Sequence, residues 1–354
     1  MATRFSVRGL TEGAVLAALV ALFAVAARYF PVFSFVSILV CPLPLTLLVI
    51  RQGLRVALLA AAVSAAIAAM VAGPLTGAAI LISFAPLGIV IGLGVRQQRS
   101  AGAILLTGSI AATISAVVNL GLLLLIADIN PFTQMFQAME QGLENAVRVN
   151  ERLGIDSGQT AQFVAQMRVA LDLLPRAVPL VLVIGGVFSA WATYQVGRLA
   201  LRKLGQHVPA LPAVSTWRVP AWFLWVVPLS AVLVWYARAA TVPVTIPAQT
   251  LALLPPDDQA AVVNAAVSRY PIVETIGLNF SLLGQMVFSL LGLVVAWVLM
   301  GRYRLPSWLR AFIIMYAFFI PLLGLIAFVL GLADTAFNLR GRWMRVMEAR
   351  AQAE

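Results

Sequence analysis

Five polar side chains fall within or at the edges of long apolar runs: Arg28, Thr107, Asn119, Asn279 and Gln285. In hydrocarbon such groups are costly, so they bond between helices or bind a polar ligand. Asn119 lies deep in its run, and Thr107 lies near the start of the same run. Asn279 and Gln285 share another run. An interhelical hydrogen bond is the commoner role for an isolated Asn or Gln, and substrate binding is the sharper one. Arg28 ends the first run, near Pro31, as an interface anchor or a ligand contact.

Catalytic chemistry has few carriers. Cys41 is the sole cysteine and His207 the sole histidine, which excludes an intramolecular disulfide and a Cys/His metal cluster. His207 sits in "LRKLGQHVPALP", far from any serine-bearing turn, and reads as a loop histidine. A lipid-modifying enzyme would need acids at the interface, and the outer candidates are Glu274, Asp257 and Asp258. The last two follow Pro255 and Pro256 and read as loop solvation. No Gly-Lys-Ser/Thr stands in the chain, so there is no P-loop. The sequence predicts no enzyme, no metal and no cofactor; ATP, if used, is hydrolysed by another chain.

The elements that hold these residues are membrane helices. Of 354 residues, 62% are hydrophobic and 10% charged. A soluble domain carries about 25% charged residues. The apolar runs are continuous rather than alternating, which predicts helices and excludes a barrel. By length, nine candidate spans cover residues 13–29, 35–50, 54–72, 75–94, 103–127, 177–201, 222–237, 276–300 and 309–332. The fold class is thus an all-α polytopic membrane protein with eight or nine spans. The N-terminal run is too long for a signal peptide and reads as a retained first helix.

The net charge is +11, and Lys203 is the only lysine. The arginines gather in alternate short loops: Arg4 and Arg8, Arg51 and Arg55, Arg96 and Arg99, Arg198 to Arg218, and Arg302 to Arg310. This is the positive-inside pattern, and it places the N-terminus in the cytoplasm. It also removes the case for nucleic acid. Nine crossings, however, put the basic tail "RGRWMRVMEAR" outside, against the rule. Pro321 interrupts the last run, so a re-entrant hairpin is the alternative.

Residues 1–204 form a first, six-helix domain in this reading. Its extracytoplasmic insertion, 130–175, carries two amphipathic patterns: Phe132, Phe136, Met139 and Leu143, then Phe163, Met167 and Leu174. These predict two surface helices joined by a turn. Residues 205–219 are a proline-rich linker, 220–340 the C-terminal membrane helices, and 341–354 the basic tail. The third span, "LRVALLAAAVSAAIAAMVA", is mostly alanine. Ala57, Ala61, Ala65 and Ala69 recur every fourth residue, and Ala14 and Ala18 repeat the spacing in the first span. Small residues so spaced let helices approach closely in lipid. They serve packing within the chain or docking of another membrane protein.

The order of "AVLAALVALFAVAARYFP", "CPLPLTLLVIRQGLRVALLA", the alanine-rich third span and "GPLTGAAILISFAPLGIVIGLGVR" resembles the S components of energy-coupling-factor vitamin transporters. The resemblance covers about the first two hundred residues. It implies capture of a small solute in the N-terminal bundle. It also implies docking, through Ala14, Ala18, Ala57, Ala61, Ala65 and Ala69, onto a transmembrane energising subunit that carries ATPases. The whole chain resembles the YybS-like family of uncharacterised bacterial membrane proteins. It does so through "LNFSLLGQMVFSLLGLVVAWVL" and the ending "PLLGLIAFVLGLADTAFNLRGRW". The other reading is a membrane scaffold for cell-envelope or division proteins, in the manner of the rod-shape protein MreD. A polar cavity between the outer ends of the first six helices separates solute capture from scaffolding.

Overall fold

The computed structural model describes residues 7–126, 130–152, 157–203, 205, 208–212, 216–239, 241–243, 266–303, 305–317 and 320–342. The chain forms two compact units, Met1–Leu211 and Pro212–Glu354. His207, Asp257 and Asp258 lie outside the described residues, as does the tail beyond residue 342.

The first unit contains α1 (Val7–Tyr29), α2 (Pro31–Val40), α3 (Pro42–Arg51), α4 (Leu54–Ala72), α5 (Pro74–Ala79), α6 (Ala85–Arg96), α7 (Ala101–Leu125), α8 (Pro131–Arg152) and α9 (Ser157–Lys203). Prolines open α2, α3, α5 and α8, where a missing N–H costs nothing. Gly73, at φ +92°, makes the turn after α4. A π-helical turn, Ile80–Phe84, joins α5 to α6, so Pro74–Arg96 acts as one interrupted span.

Five helices of this unit are long and apolar enough to span: Gly9–Tyr29, Leu54–Ala72, Pro74–Arg96, Ala101–Leu125 and Leu174–Lys203. The expected second span is instead two short helices, broken at Cys41 because Pro42 has no N–H to donate. Together they still return the chain. Arg51, at the end of α3, reaches back to Glu12 in the first turns of α1 at 2.7 Å. Arg96, at the end of α6, donates to Val49 of α3. The ends of α3 and α6 therefore gather at the end where α1 begins.

Of the two expected surface helices only the first is a separate helix, and most of the stretch joining them, 153–156, lies outside the described residues. α8 is a separate helix whose Phe132 and Phe136 rings lie 6.4 Å apart. The second amphipathic stretch is the continuous N-terminal part of the 47-residue α9. Residues 157–174 contain good helix formers and no stop signal, and Pro175 and Pro179 are carried inside the helix.

The second unit contains a 3-10 turn (Ala221–Trp225), α10 (Val226–Ala239), a two-stranded antiparallel ribbon, β1 (Thr241–Pro243) with β2 (Ala266–Ser268), then α11 (Pro271–Arg302), α12 (Ser307–Ala317) and α13 (Pro321–Phe337). The 3-10 turn and α10 together make the candidate span Ala221–Ala239, and Pro271–Gly301 is the second. α10 runs antiparallel to α11: Gly277 faces Leu233 and Val234, while Gly284 faces Val227. α13 is also antiparallel to α11. A Cβ on Gly292 would land on the Ala327 carbonyl, and one on Gly331 on that of Phe288. Only glycine allows this approach.

The last apolar run is not one straight span. α12 and α13 meet at 105°, where Pro321 opens the second helix. The guanidinium of Arg340, just past α13, donates to the Trp217 carbonyl at 2.9 Å. That contact brings the end of α13 to the depth at which α10 begins. The antiparallel α10 and α11 are thus the two long spans of this unit, and the bent α12–α13 pair follows them. With the five of the first unit, seven helices among the described residues are long and apolar enough to span, or eight if α12 and α13 make one bent span.

Candidate functional site

The proposed docking alanines divide between interior and surface. Ala57, Ala61 and Ala65 are buried inside the first unit, with Ala60 and Ala68. Gly77 sits against the Ala65 carbonyl and the Ala69 methyl. Ala57, Ala61 and Ala65 therefore offer no face to a partner, because α1, α5 and α6 already cover that side of α4. Ala14 and Ala18 are exposed, as are Ala62 and Ala66 on the other side of α4.

The five candidate ligand residues do not converge. Arg28 is exposed at the end of α1. Thr107 returns its hydroxyl to the Ala103 carbonyl of its own helix at 2.9 Å. Asn119 donates to Ser83, in the π-helical turn, at 2.7 Å. That bond is an interhelical clasp, and it sits where a regular helix would give Ser83 another direction. Asn279 donates to the Thr275 carbonyl one turn back at 2.7 Å. Thr107, Asn119 and Asn279 thus have structural uses.

A cavity of about 220 Å³ lies in the first unit, lined by Leu16, Leu43, Leu47, Leu201 and other apolar side chains, with Thr46 its lone hydroxyl. That hydroxyl is already committed to the Pro42 and Gly88 carbonyls, at 3.0 Å each. The cavity offers a solute little to hydrogen-bond. Also buried in this unit are Thr193 Oγ1 and Arg198 Nε, without a partner among the described residues.

The polar cleft belongs to the second unit. Ser281, Gln285 and Ser289 stand at i, i+4 and i+8 on one face of α11. With Val227, Gly324, Leu325 and Phe328 they line a cavity of about 550 Å³. None of the three has a side-chain partner among the described residues. Inside a bilayer, hydroxyl and amide groups normally bond across helices. Here three point into one space, with apolar walls around them. The four-residue spacing was readable in the sequence around Gln285, but the two serines look ordinary without the neighbouring helix.

Beyond this cleft is a buried ion pair. Asp334 and Arg340 are 6% and 4% exposed. Asp334 accepts from the Arg340 backbone N–H at 2.9 Å and from its guanidinium Nε at 2.8 Å. The left-handed Asn338, at φ +52°, turns the chain so that both contacts form. The sequence shows the acid and the arginine six residues apart, which is no helical spacing, so the pair is invisible without that turn. Glu274, the other acid of this unit's membrane helices, pairs with Arg238 at 3.2 Å.

Comparison with known proteins agrees with this architecture. A family model described as "Predicted membrane protein (DUF2232)" matches residues 18–254, more than half of the chain. The chain belongs to this family. Over 216 residues, 60% of this chain and 68% of the relative, it is 24% identical to "Uncharacterized protein YybS" of Bacillus subtilis (strain 168). No solved structure matches. The DUF2232 match runs through the first unit, the linker and α10.

Proposed function

We propose that this protein is a transport-related membrane component that binds a small molecule in the cleft of its second unit. One observation carries the reading: Ser281, Gln285 and Ser289 open without partners into a cavity of about 550 Å³ on a membrane helix. Interrupted helices at Cys41, at Ile80–Phe84 and at Pro321 are in keeping with it, since broken spans often frame binding sites in transporters. The site moves from the N-terminal bundle to α11, because the cavity described in the first unit is apolar. The role is binding rather than catalysis. Energy would come from a separate transmembrane subunit with ATPases, docked on the exposed Ala14 and Ala18. The arginine distribution supports a cytoplasmic N-terminus, and the resemblance to bacterial membrane proteins supports a bacterial plasma membrane.

The test is native mass spectrometry of the full chain, purified from its own membrane in mild detergent. A co-purifying small molecule is expected. The double variant Gln285→Leu/Ser289→Ala should lower its occupancy by about tenfold, the worth of one or two buried hydrogen bonds. Equal occupancy in the variant, or no molecule in either, overturns the reading. The scaffold then leads. Its own support is the small-residue surface of Ala14, Ala18, Ala62 and Ala66, which suits a partner helix.

A further inference from the structure

Between the linker and the end of α13 lies a second, smaller cavity of about 200 Å³, lined by Arg218, Val219, Asp334, Thr335, Asn338 and Arg340. Its charges do not cancel. Asp334 is consumed by Arg340, which it holds through the backbone N–H and the guanidinium at once. Arg218 is exposed and has no ion-pair partner among the described residues. Its terminal nitrogen nevertheless has a defined place. A Cβ built on Gly341 would meet the Asn338 carboxamide, its Oδ1 at 2.5 Å and its Nδ2 at 2.8 Å, and Arg218 Nη2 at 2.9 Å. A guanidinium and a carboxamide thus converge over a glycine that leaves room for them.

We infer that this cavity binds the phosphate of an anionic phospholipid, with Arg218 and the Asn338 amide as its donors. The donor set is an anion's: one unneutralised guanidinium and one amide N–H₂, backed by a second guanidinium that Asp334 keeps fixed. The volume equals about six water molecules, enough for a headgroup phosphate and too little for a whole lipid. Exposed indoles stand near it. Trp217, Trp222 and Trp225 are 41%, 66% and 72% exposed around the start of α10, as indoles are in the interfacial belt. Acyl chains would then run along the exposed apolar side of α10, past Leu229 and Val232. The inference is independent of the α11 cleft, whose polar residues it does not use.

The experiment uses the full chain reconstituted in nanodiscs of phosphatidylglycerol or phosphatidylcholine, released into the mass spectrometer with its tightly held lipid. One phosphatidylglycerol should remain, and phosphatidylcholine should not. Arg218→Gln should reduce the retained phosphatidylglycerol about fivefold, the worth of one arginine near an anionic surface. Gly341→Ala should do likewise by filling the space where the donors meet. Arg99→Gln, an exposed arginine of the first unit, should change nothing. Equal retention of the two lipids overturns the inference, and so does full retention in Arg218→Gln. A free-phosphate site is the remaining source. It is indicated if millimolar inorganic phosphate displaces nothing from nanodiscs yet adds to lipid-free protein in an Arg218-dependent way, and that also overturns the lipid assignment.

Discussion

The two units solve one problem in opposite ways. Both must hold helices together where hydrocarbon offers no hydrophobic drive. The first does so with bulk removed: Ala57, Ala60, Ala61, Ala65 and Ala68 turn α4 into a smooth rod inside its neighbours. Its polar side chains bond to their own helix or clasp a neighbouring one, as in Thr107, Thr46 and Asn119. The second unit also uses close approach, at Gly292 and Gly331, but adds a buried ion pair and leaves a polar cleft open. An apolar rod fixes geometry and does little else. A buried charge pair is a costly way to fix geometry, since its desolvation offsets much of its attraction. Where a chain carries that cost, a site is the natural place to look.

The sharpest way to break the comparison is to remove one partner of the pair. Asp334→Ala leaves Arg340 charged and buried, and should destabilise the second unit by about 3–5 kcal/mol. Thermal unfolding in detergent, followed by the indole fluorescence of Trp217, Trp222 and Trp225, measures it. The double variant Asp334→Ala/Arg340→Leu should recover most of the loss, because the penalty lies in the unpaired charge. If the single variant unfolds like the native chain, Asp334 is solvated, and the contrast between the units falls.

A medium effect tests the alanine rod. Ala61 is 1% exposed, whereas Ala62 faces outward on the same helix. Ala61→Leu should cost about 1–3 kcal/mol by overpacking. Ala62→Leu should stay within about 0.5 kcal/mol, as surface changes do. Paired melting curves decide it. If the two variants match, α4 is not packed as described and its inner ladder is free to dock. A third result, loss of a partner only with Ala62→Leu, would sharpen the comparison by locating an outer contact.

The helical, polytopic class was legible because it depends on composition and run length, which no tertiary contact alters. α4 even carries the expected bounds, since Gly53 and Gly73 flank it at φ +92° each. The ends of the arginine loops were legible for the same reason. The bend of the last run was not, because Pro321 reads equally as a kink or a stop until α12 and α13 are seen to meet at 105°. The alanines gave their spacing but not their direction: at four-residue intervals every face of α4 looks alike, and only the neighbours show which is inside. The polar residues divide by the same logic. Asn119 announces a need for a partner, yet Ser83 meets it only because a π-helical turn re-aims that serine. Arg218 and Asn338 lie far apart in sequence, and no period connects them.

The smallest effect lies at the basic end of the first unit. Glu12 accepts from Arg51 Nη1 and from Gln52 Nε2, at 2.7 Å each, so one carboxylate joins the start of α1 to the end of α3. The Arg51 side chain is 38% exposed, so water and salt compete for it. Such a pair contributes about 0.2–1 kcal/mol. Glu12→Gln should therefore lower the unfolding midpoint slightly, and raising the salt should lower that of the native chain toward it. A loss as large as that of Asp334→Ala would mean that the basic end is as dry as the second unit's ion pair. The units would then differ in their small residues and not in how they handle charge.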